Sequence, residues 1–172
     1  MTEIIDNVLP ISLNKKIIKT LLSESTWEFE EGWGQEYSNV IDTNIPFAGM
    51  NFATFNGSKN INKPGALNIY ADTIAELVMD KLNIKKFTVE RFNWNYYTPG
   101  CVANSHKDTA EDGFLSILYS LETCDGGIEI DGLFFKDISS QAKVFKSNIN
   151  HRGIGPTKDK FRFSANIVVK ID

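Results

Sequence analysis

The sequence predicts a mainly β domain with flanking helices (an α+β arrangement), built as a β-sandwich or jelly roll with the helices packed outside. That prediction rests on three features. Two stretches near the N-terminus carry a helical apolar period, the period falls to two after residue 85, and at least six short strand-like segments then follow, separated by turn-forming residues. With 172 residues, 42% of them hydrophobic and 23% charged, the chain reads as one globular domain, residues 1–172, with a core of its own.

Leu13, Ile17, Ile18, Leu21 and Leu22 fall on one helical face, with Lys15, Lys16 and Lys19 opposite, so residues 12–23 read as an amphipathic helix. Ser12, after Pro10, is placed to cap it. A second helix fits residues 72–82, with Asp72 as cap and Ala75, Leu77, Val78, Met79 and Leu82 as its buried side. Residues 32–66 scatter glycines and two prolines among Trp33, Phe47, Phe52 and Phe55, which suggests short strands and long loops. Beyond them Phe87 and Val89 alternate, and Phe92, Trp94 and Tyr96 alternate on the opposite parity, so a bulge is expected near Glu90-Arg91. Strands are expected over 114–121, 127–135 and 142–147. In the last one, Phe161, Phe163, Ala165, Ile167 and Val169 face one way while Arg162, Ser164 and Asn166 face the other.

Charge and composition exclude several classes. The formal net charge of −4 argues against a broad nucleic-acid surface and against a duplex nucleic-acid partner. The apolar runs are too short for a transmembrane helix, so no membrane partner is expected. Met1 to Asp6 carries two acids and no base, unlike a secretory signal. Two cysteines, Cys101 and Cys124, cannot make a disulfide scaffold, and a cytoplasmic location is the simpler expectation. Sixteen asparagines, with many isoleucines and lysines, suit AT-rich coding in a bacterium or its virus, in which case the cytoplasm is the host's.

Only two histidines are present, His106 and His151. His106-Lys107-Asp108 is a His-x-Asp, and in an extended segment residues two apart point to the same side, so imidazole and carboxylate can meet one ion while Lys107 points outward. His151 follows 43 residues after Asp108, at the end of a strand-like segment. Two histidines and a carboxylate on one face of a metal, with the opposite face open, is the arrangement of non-haem Fe(II) oxygenases. A salt bridge and a zinc site built from the same three residues are the alternatives. Glu111 and Asp112 stand close enough in sequence to compete as ligands, but the two-residue spacing favours Asp108.

Arg162 stands 11 residues after His151, with Ser164 two further on the same polar face of an apolar strand. A guanidinium pointing into a barrel needs an anion, and its planar fork suits a carboxylate. The bland alternative is a structural salt bridge. Arg152, Lys158, Lys160 and Arg162 also make a positive cluster that could attract an anionic co-substrate or an acidic target, or form a solvated loop. Trp27, Trp33 and Trp94 could line a substrate groove, although such aromatics are more often core.

Three stretches together resemble the iron(II)- and 2-oxoglutarate-dependent oxygenases, in their prolyl 4-hydroxylase-like branch of bacterial and phage type. "YTPGCVANSHKD" is similar to that branch's Tyr-x-x-Gly followed by His-x-Asp, here Tyr97, Gly100, His106 and Asp108. "LSILYSLETCDGGIEI" resembles the strand and glycine turn that follow, with Gly126 and Gly127 in place. "AKVFKSNINHRGIGPTKDKFRFS" resembles the closing stretch with the second His, Pro156 and the Arg162-x-Ser164 pair. The resemblance covers roughly residues 88–171. It departs in two places: many prolyl hydroxylases carry Lys where Arg162 stands, and the aromatic often found three after the motif glycine is Ala103 here.

The resemblance implies a double-stranded β-helix (a cupin-like jelly roll) with N-terminal helices packed on it, residues 1–85 as support and 86–172 as the metal and co-substrate core. It implies Fe(II) held by His106, Asp108 and His151 as metal ligands and catalytic residues. It further implies 2-oxoglutarate and O2 as co-substrates, with ascorbate as a candidate reductant. Arg162 and Ser164 would bind the distal carboxylate, with Tyr97 or Tyr119 replacing the missing aromatic. The expected reaction is hydroxylation of a C–H bond on a peptide or protein side chain. A small metabolite or nucleobase is the alternative substrate, and a cupin-like binding module holding zinc or no metal is the alternative class.

Overall fold

The computed structural model describes residues 1–23, 28–29, 50–56 and 66–172. The described elements are β1 (Glu3–Ile5), α1 (Ile11–Ser23), β2 (Glu28–Phe29), β3 (Met50–Asn56), α2 (Ala66–Lys81), β4 (Phe87–Tyr97) and β5 (Phe114–Ser120). They continue with β6 (Gly127–Ile130), β7 (Leu133–Lys136), β8 (Gln141–Lys146), β9 (His151–Ile154) and β10 (Arg162–Ile171). All pairings are antiparallel, in a seven-stranded sheet of order β1-β8-β5-β10-β4-β3-β2 and a three-stranded sheet of order β7-β6-β9. Two antiparallel sheets with two helices give a jelly-roll-like fold. Among the described residues no helix is long and apolar enough to cross a membrane.

Both helices form where expected, with corrected ends. The Pro10 carbonyl accepts from Leu13 N and Asn14 N, so α1 starts at Ile11 and Ser12 lies in its first turn instead of capping it. Helix α2 starts six residues before the expected Asp72, because Leu67 and Ala71 extend its buried stripe upstream; Asp72 is an exposed interior residue. Asn83 ends it at φ 57°, where Ile84 N bonds Met79 O and Asn83 N bonds Asp80 O, a Schellman closure. Leu22 and Leu77, expected to be buried, face solvent. Strand β1 was not anticipated: three residues carry no readable period, and only pairing with β8 makes them a strand. The expected strand over 127–135 is a hairpin, β6 and β7, closed by the two-residue Asp131-Gly132 turn. Of the segment 32–66, the described part forms β3; Trp27 and Trp33 lie outside the described residues.

The large sheet has two unlike faces. On the helix side, Phe92, Trp94, Ile117, Phe163 and Ile167 pack with Ile17, Leu21, Ile74 and Val78 into the main core. The bulge falls where the sequence placed it: β10 pairs Val168 with Arg91 and the next residue, Val169, with Val89, skipping Glu90. That extra residue returns Phe87 and Val89 to the side of Phe92 and Trp94 and turns Arg91 to the other face. Trp94 is therefore core and lines no groove.

The opposite, inner face is polar. Arg162, Ser164 and Asn166 of β10 sit in register with Tyr97, Asn95 and Asn93 of β4. Ser120 of β5 lies on the other flank of Ser164, and Lys143 of β8 lies beside Leu118 of β5. Leu118 and Phe145 meet Ile128 and Ile130 of the small sheet in a second, smaller apolar cluster that closes one part of the sandwich. A polar strip remains between the sheets, and the candidate site is built on it.

Candidate metal and co-substrate site

His106 and Asp108 lie on the stretch that runs alongside β9, whose first residue is His151. This stretch makes two isolated bridges to β9 in place of a regular strand: Val102 with Ile154, and His106 with His151. The second is reciprocal, His106 N to His151 O at 2.9 Å and His151 N to His106 O at 2.8 Å. The backbone alone therefore sets the two imidazoles facing each other, with ring centroids 4.4 Å apart. One ligand atom from each of His106, Asp108 and His151 lies within 4.8 Å of the others, so this group could hold a metal ion.

The surroundings prepare these atoms. Each Nδ1 bonds the carbonyl two residues earlier, His106 to Asn104 O at 2.9 Å and His151 to Ile149 O at 3.0 Å. A carbonyl only accepts, so Nδ1 carries the proton and Nε2 of the neutral ring keeps its lone pair for a metal. Burial, with His151 beside it, holds the His106 imidazole below its ordinary value and keeps it neutral. The Asp108 carboxylate is held on both oxygens. Oδ1 accepts from Arg91 Nη2 and from Asn166 Nδ2 at 3.0 Å; Oδ2 accepts from Ser116 Oγ at 2.5 Å, which shares a 2.8 Å bond with Ser147 Oγ. Burial pushes this carboxyl up, but the Arg91 charge and the Ser116 hydrogen bond, with the imidazoles adding to them when protonated, hold it below its usual range. Two neutral imidazoles and one carboxylate suit Fe(II), and zinc accepts the same donors.

The other end of the strip is sealed. Arg162 and Ser164 are fully buried. Arg162 Nε donates to Asp137 Oδ2 at 2.6 Å, and its guanidinium lies 4.6 Å from the centre of the Tyr97 ring. Nη1, Nη2 and Ser164 Oγ are buried without a hydrogen-bond partner among the described residues. The salt bridge foreseen as the bland alternative thus exists, yet it uses only one edge of the guanidinium. Asp137 is also bound by Lys143 Nζ at 3.0 Å, and Lys143 reaches Ser120 Oγ at 2.7 Å. Burial pushes Asp137 up, and Arg162 and Lys143 together pull it below the usual carboxylate range. Among the described residues, Arg162 and Lys143 share the one Asp137 carboxylate, and three buried polar atoms have no hydrogen-bond partner. A ligand carboxylate fits that deficit.

Tyr97, not Tyr119, is the aromatic on this face. Tyr119 points to the helices and donates to Asn14 Oδ1 at 2.7 Å. Burial pushes the Tyr97 phenol up to about 12, so it stays protonated. Its ring is seated against Gly153, where a Cβ would meet the hydroxyl oxygen at 2.1 Å and Cζ at 2.5 Å. Gly153→Ala is therefore expected to displace Tyr97 from Arg162 and to cost about 1–3 kcal/mol, an overpacking effect measurable by denaturant unfolding.

Other sequence candidates separate from the site. Lys107 is exposed, as expected. Glu111 and Asp112 stand outside the ligand group, Asp112 accepting from Asn148. Cys101 packs with Tyr97 and Ala103, shares a bond with Thr98 Oγ1 and is not in the group of three ligands. The positive cluster does not form one patch: Arg152 pairs with Glu129, Lys158 and Lys160 are exposed, and Arg162 is buried. Arg91, Ser116, Asp137 and Lys143 were missed. The parity that marked Arg162, Ser164 and Asn166 could have found Arg91 once the bulge was placed; nothing local marks Asp137.

Near the sealed end, Glu122 accepts from Phe163 N at 3.2 Å, and burial, then Asp137 and Asp159, push its carboxyl up to about 7. Its folded value lies above the ordinary 4.5, so the folded protein keeps a proton that the unfolded chain releases in that interval. The resulting stabilisation is complete below 4.5 and is lost as pH rises through about 7. Melting temperature is expected to fall between about pH 5 and about pH 8, and Glu122→Gln should flatten that slope.

Comparison with protein-family models and with curated protein sequences finds no match. Solved structures do match. A viral collagen prolyl hydroxylase from Paramecium bursaria Chlorella virus-1, in its 2-oxoglutarate complex, superposes with TM-score 0.65 at 17% identity, covering 99% of this chain and 96% of that one. A prolyl hydroxylase of Trichoplax adhaerens, in complex with a hypoxia inducible factor peptide fragment, gives 0.68 at 16% identity over 99% and 83%. A 2-oxoglutarate–Fe(II) oxygenase family oxidoreductase of Burkholderia pseudomallei gives 0.72 at 12% identity over 99% and 85%. A chain whose described residues form ten strands in two antiparallel sheets, with a His-Asp-His group and a buried guanidinium that Asp137 pairs on one edge only, thus has the fold of the 2-oxoglutarate–Fe(II) oxygenases, prolyl hydroxylases among them.

Proposed function

We propose that this protein is an Fe(II)- and 2-oxoglutarate-dependent dioxygenase that hydroxylates a C–H bond on a peptide or protein side chain, on a double-stranded β-helix. The single observation that carries the reading is the buried Arg162 fork, whose two Nη atoms and neighbouring Ser164 Oγ find no partner among the described residues, on the same strip as the three candidate ligands. His106, Asp108 and His151 would hold the iron; Arg162 and Ser164, flanked by Tyr97, would hold the distal carboxylate of 2-oxoglutarate. When bound, these groups supply with O2 the oxidant for the substrate, and 2-oxoglutarate leaves as succinate and CO2.

The residues of the chain do the rest. Ser116, Arg91 and Asn166 orient the Asp108 oxygens, the Nδ1 bonds fix both imidazoles, and the sealed Arg162 end excludes water. Arg91 is 30% exposed where Arg162 is 1%, so substrate would enter at the metal end. A peptide is supported by the two prolyl hydroxylase structures, one matched over 96% of its own length and the other holding a peptide fragment.

The test is anaerobic. Fe(II) and 2-oxoglutarate added to the metal-free protein should give the visible metal-to-ligand charge-transfer band, and Arg162→Ala should weaken it. Absence of the band from folded protein that takes up zinc instead would sink the dioxygenase reading in favour of a binding module. With the band established, proline-containing peptides should gain one oxygen by mass spectrometry as succinate forms; turnover only with small molecules would refute the peptide assignment alone.

A further inference from the structure

The buried pair Asp137–Lys143 lies outside the ligand set and the carboxylate fork, and its geometry is specific. A guanidinium can take a carboxylate side-on, through Nε and one Nη, or end-on, through both Nη atoms. Asp137 takes Nε alone, at 2.6 Å, and leaves both Nη atoms without a hydrogen-bond partner among the described residues. Its own position is set by the backbone, Asp137 N donating to Gly126 O at 2.9 Å and Asp137 O accepting from Cys124 N at 3.4 Å. The second oxygen, Oδ1, is held by Lys143 Nζ at 3.0 Å, and Lys143 is in turn tied to Ser120 Oγ at 2.7 Å. Asp137, Lys143 and Arg162 therefore come from the turn after β7, from β8 and from β10, with side chains at most 1% exposed. The Tyr97 ring covers one face of the guanidinium. Nothing about a stability-giving salt bridge requires Nε-only pairing: a bidentate pair would satisfy more donors.

We propose that Asp137 and Lys143 are positioning residues for the co-substrate. Asp137 locks the guanidinium by its Nε edge so that both Nη atoms face the ligand carboxylate end-on, and Lys143 neutralises the Asp137 oxygen that would otherwise repel that carboxylate. This rests on the dioxygenase reading above. It also makes the distance from the metal to the fork a set quantity, so the pair helps to choose the length of the 2-oxo dicarboxylate.

The experiment is calorimetric binding of 2-oxoglutarate to the Mn(II)-loaded protein without O2, beside the Mn(II) affinity itself, for wild type, Asp137→Asn, Lys143→Met and the double variant. Each single variant is expected to weaken 2-oxoglutarate roughly 10-fold or more, the scale of losing a group that orients a binding residue, with Mn(II) affinity unchanged. The double variant should lose less than the two single losses combined, because the carboxylate and the charge that neutralises it leave together. Asp137→Glu keeps the charge but lengthens the tether by one methylene, so it should displace the guanidinium and change the affinity ratio between 2-oxoglutarate and the shorter oxaloacetate. A purely structural pair would lower the melting temperature while leaving the affinity and that ratio at wild-type values, which overturns the proposal. Wild-type protein that binds Mn(II) but no 2-oxoglutarate overturns the dioxygenase reading along with it. If Asp137→Asn does not fold, the oxaloacetate ratio of Asp137→Glu decides alone.

Discussion

Replacing His106 by Ala should abolish both iron binding and 2-oxoglutarate turnover while the protein stays folded. The backbone of His106 holds β9 through its own N–H and carbonyl, and an alanine keeps both bonds. What is lost is one of three donors that meet within 4.8 Å. Its removal should weaken Fe(II) beyond the roughly 10–100-fold that loss of an outer partner costs. Ser116→Ala, which strips one donor from Asp108 Oδ2, is the calibrating variant and should fall within that range. The metal-free melting temperature of His106→Ala should match wild type, whereas the rise on adding Fe(II) or Mn(II) should vanish, since only an ion bound to the folded state stabilises it. Turnover surviving in a folded His106→Ala protein would move the metal site elsewhere.

Much of this was legible in the chain because the large sheet is two-faced. Alternation along Phe161 to Val169 told which side chains meet the helices, and the parity change between Val89 and Phe92 located the bulge at Glu90. The His-x-Asp spacing placed two side chains together even though the stretch is bridged at single residues and not continuously. The missing parts depend on partners distant in sequence. Strand β1 exists only through β8, and Asp137 reaches Arg162, 25 residues away, because the β6–β7 hairpin folds the turn under β10. An isolated acid after Phe134-Phe135-Lys136 offers no period or spacing from which to read that. The early start of α2 was hidden for a local reason: Pro64-Gly65 looks like loop, whereas Leu67 and Ala71, just beyond, already belong to the buried stripe.

Trp94→Ala should be the most destabilising single substitution on the helix side of the sheet. The indole is fully buried between strands β3 and β10, in the cluster that receives α1 and α2. Its direct partner on β10 is Ala165, too small to fill the gap. Deleting a buried Trp side chain costs about 3–5 kcal/mol. Against a total stability of about 5–15 kcal/mol, that is a large fraction. For a chain of this size it corresponds to a fall of about 6–20 °C in melting temperature, readable by calorimetry. Trp94→Phe should cost much less. Nε1 has no hydrogen-bond partner among the described residues, so the smaller ring gives up area but no bond. The two faces of β4 then give a sharper expectation. Asn93 and Asn95 point to the polar strip and Trp94 points away from it, so well below its melting temperature Trp94→Ala should still bind Mn(II) with wild-type affinity. A loss of metal affinity in the folded variant would mean that the helix-side core, and not only the bonds around Asp108 and the two imidazoles, sets the ligand geometry.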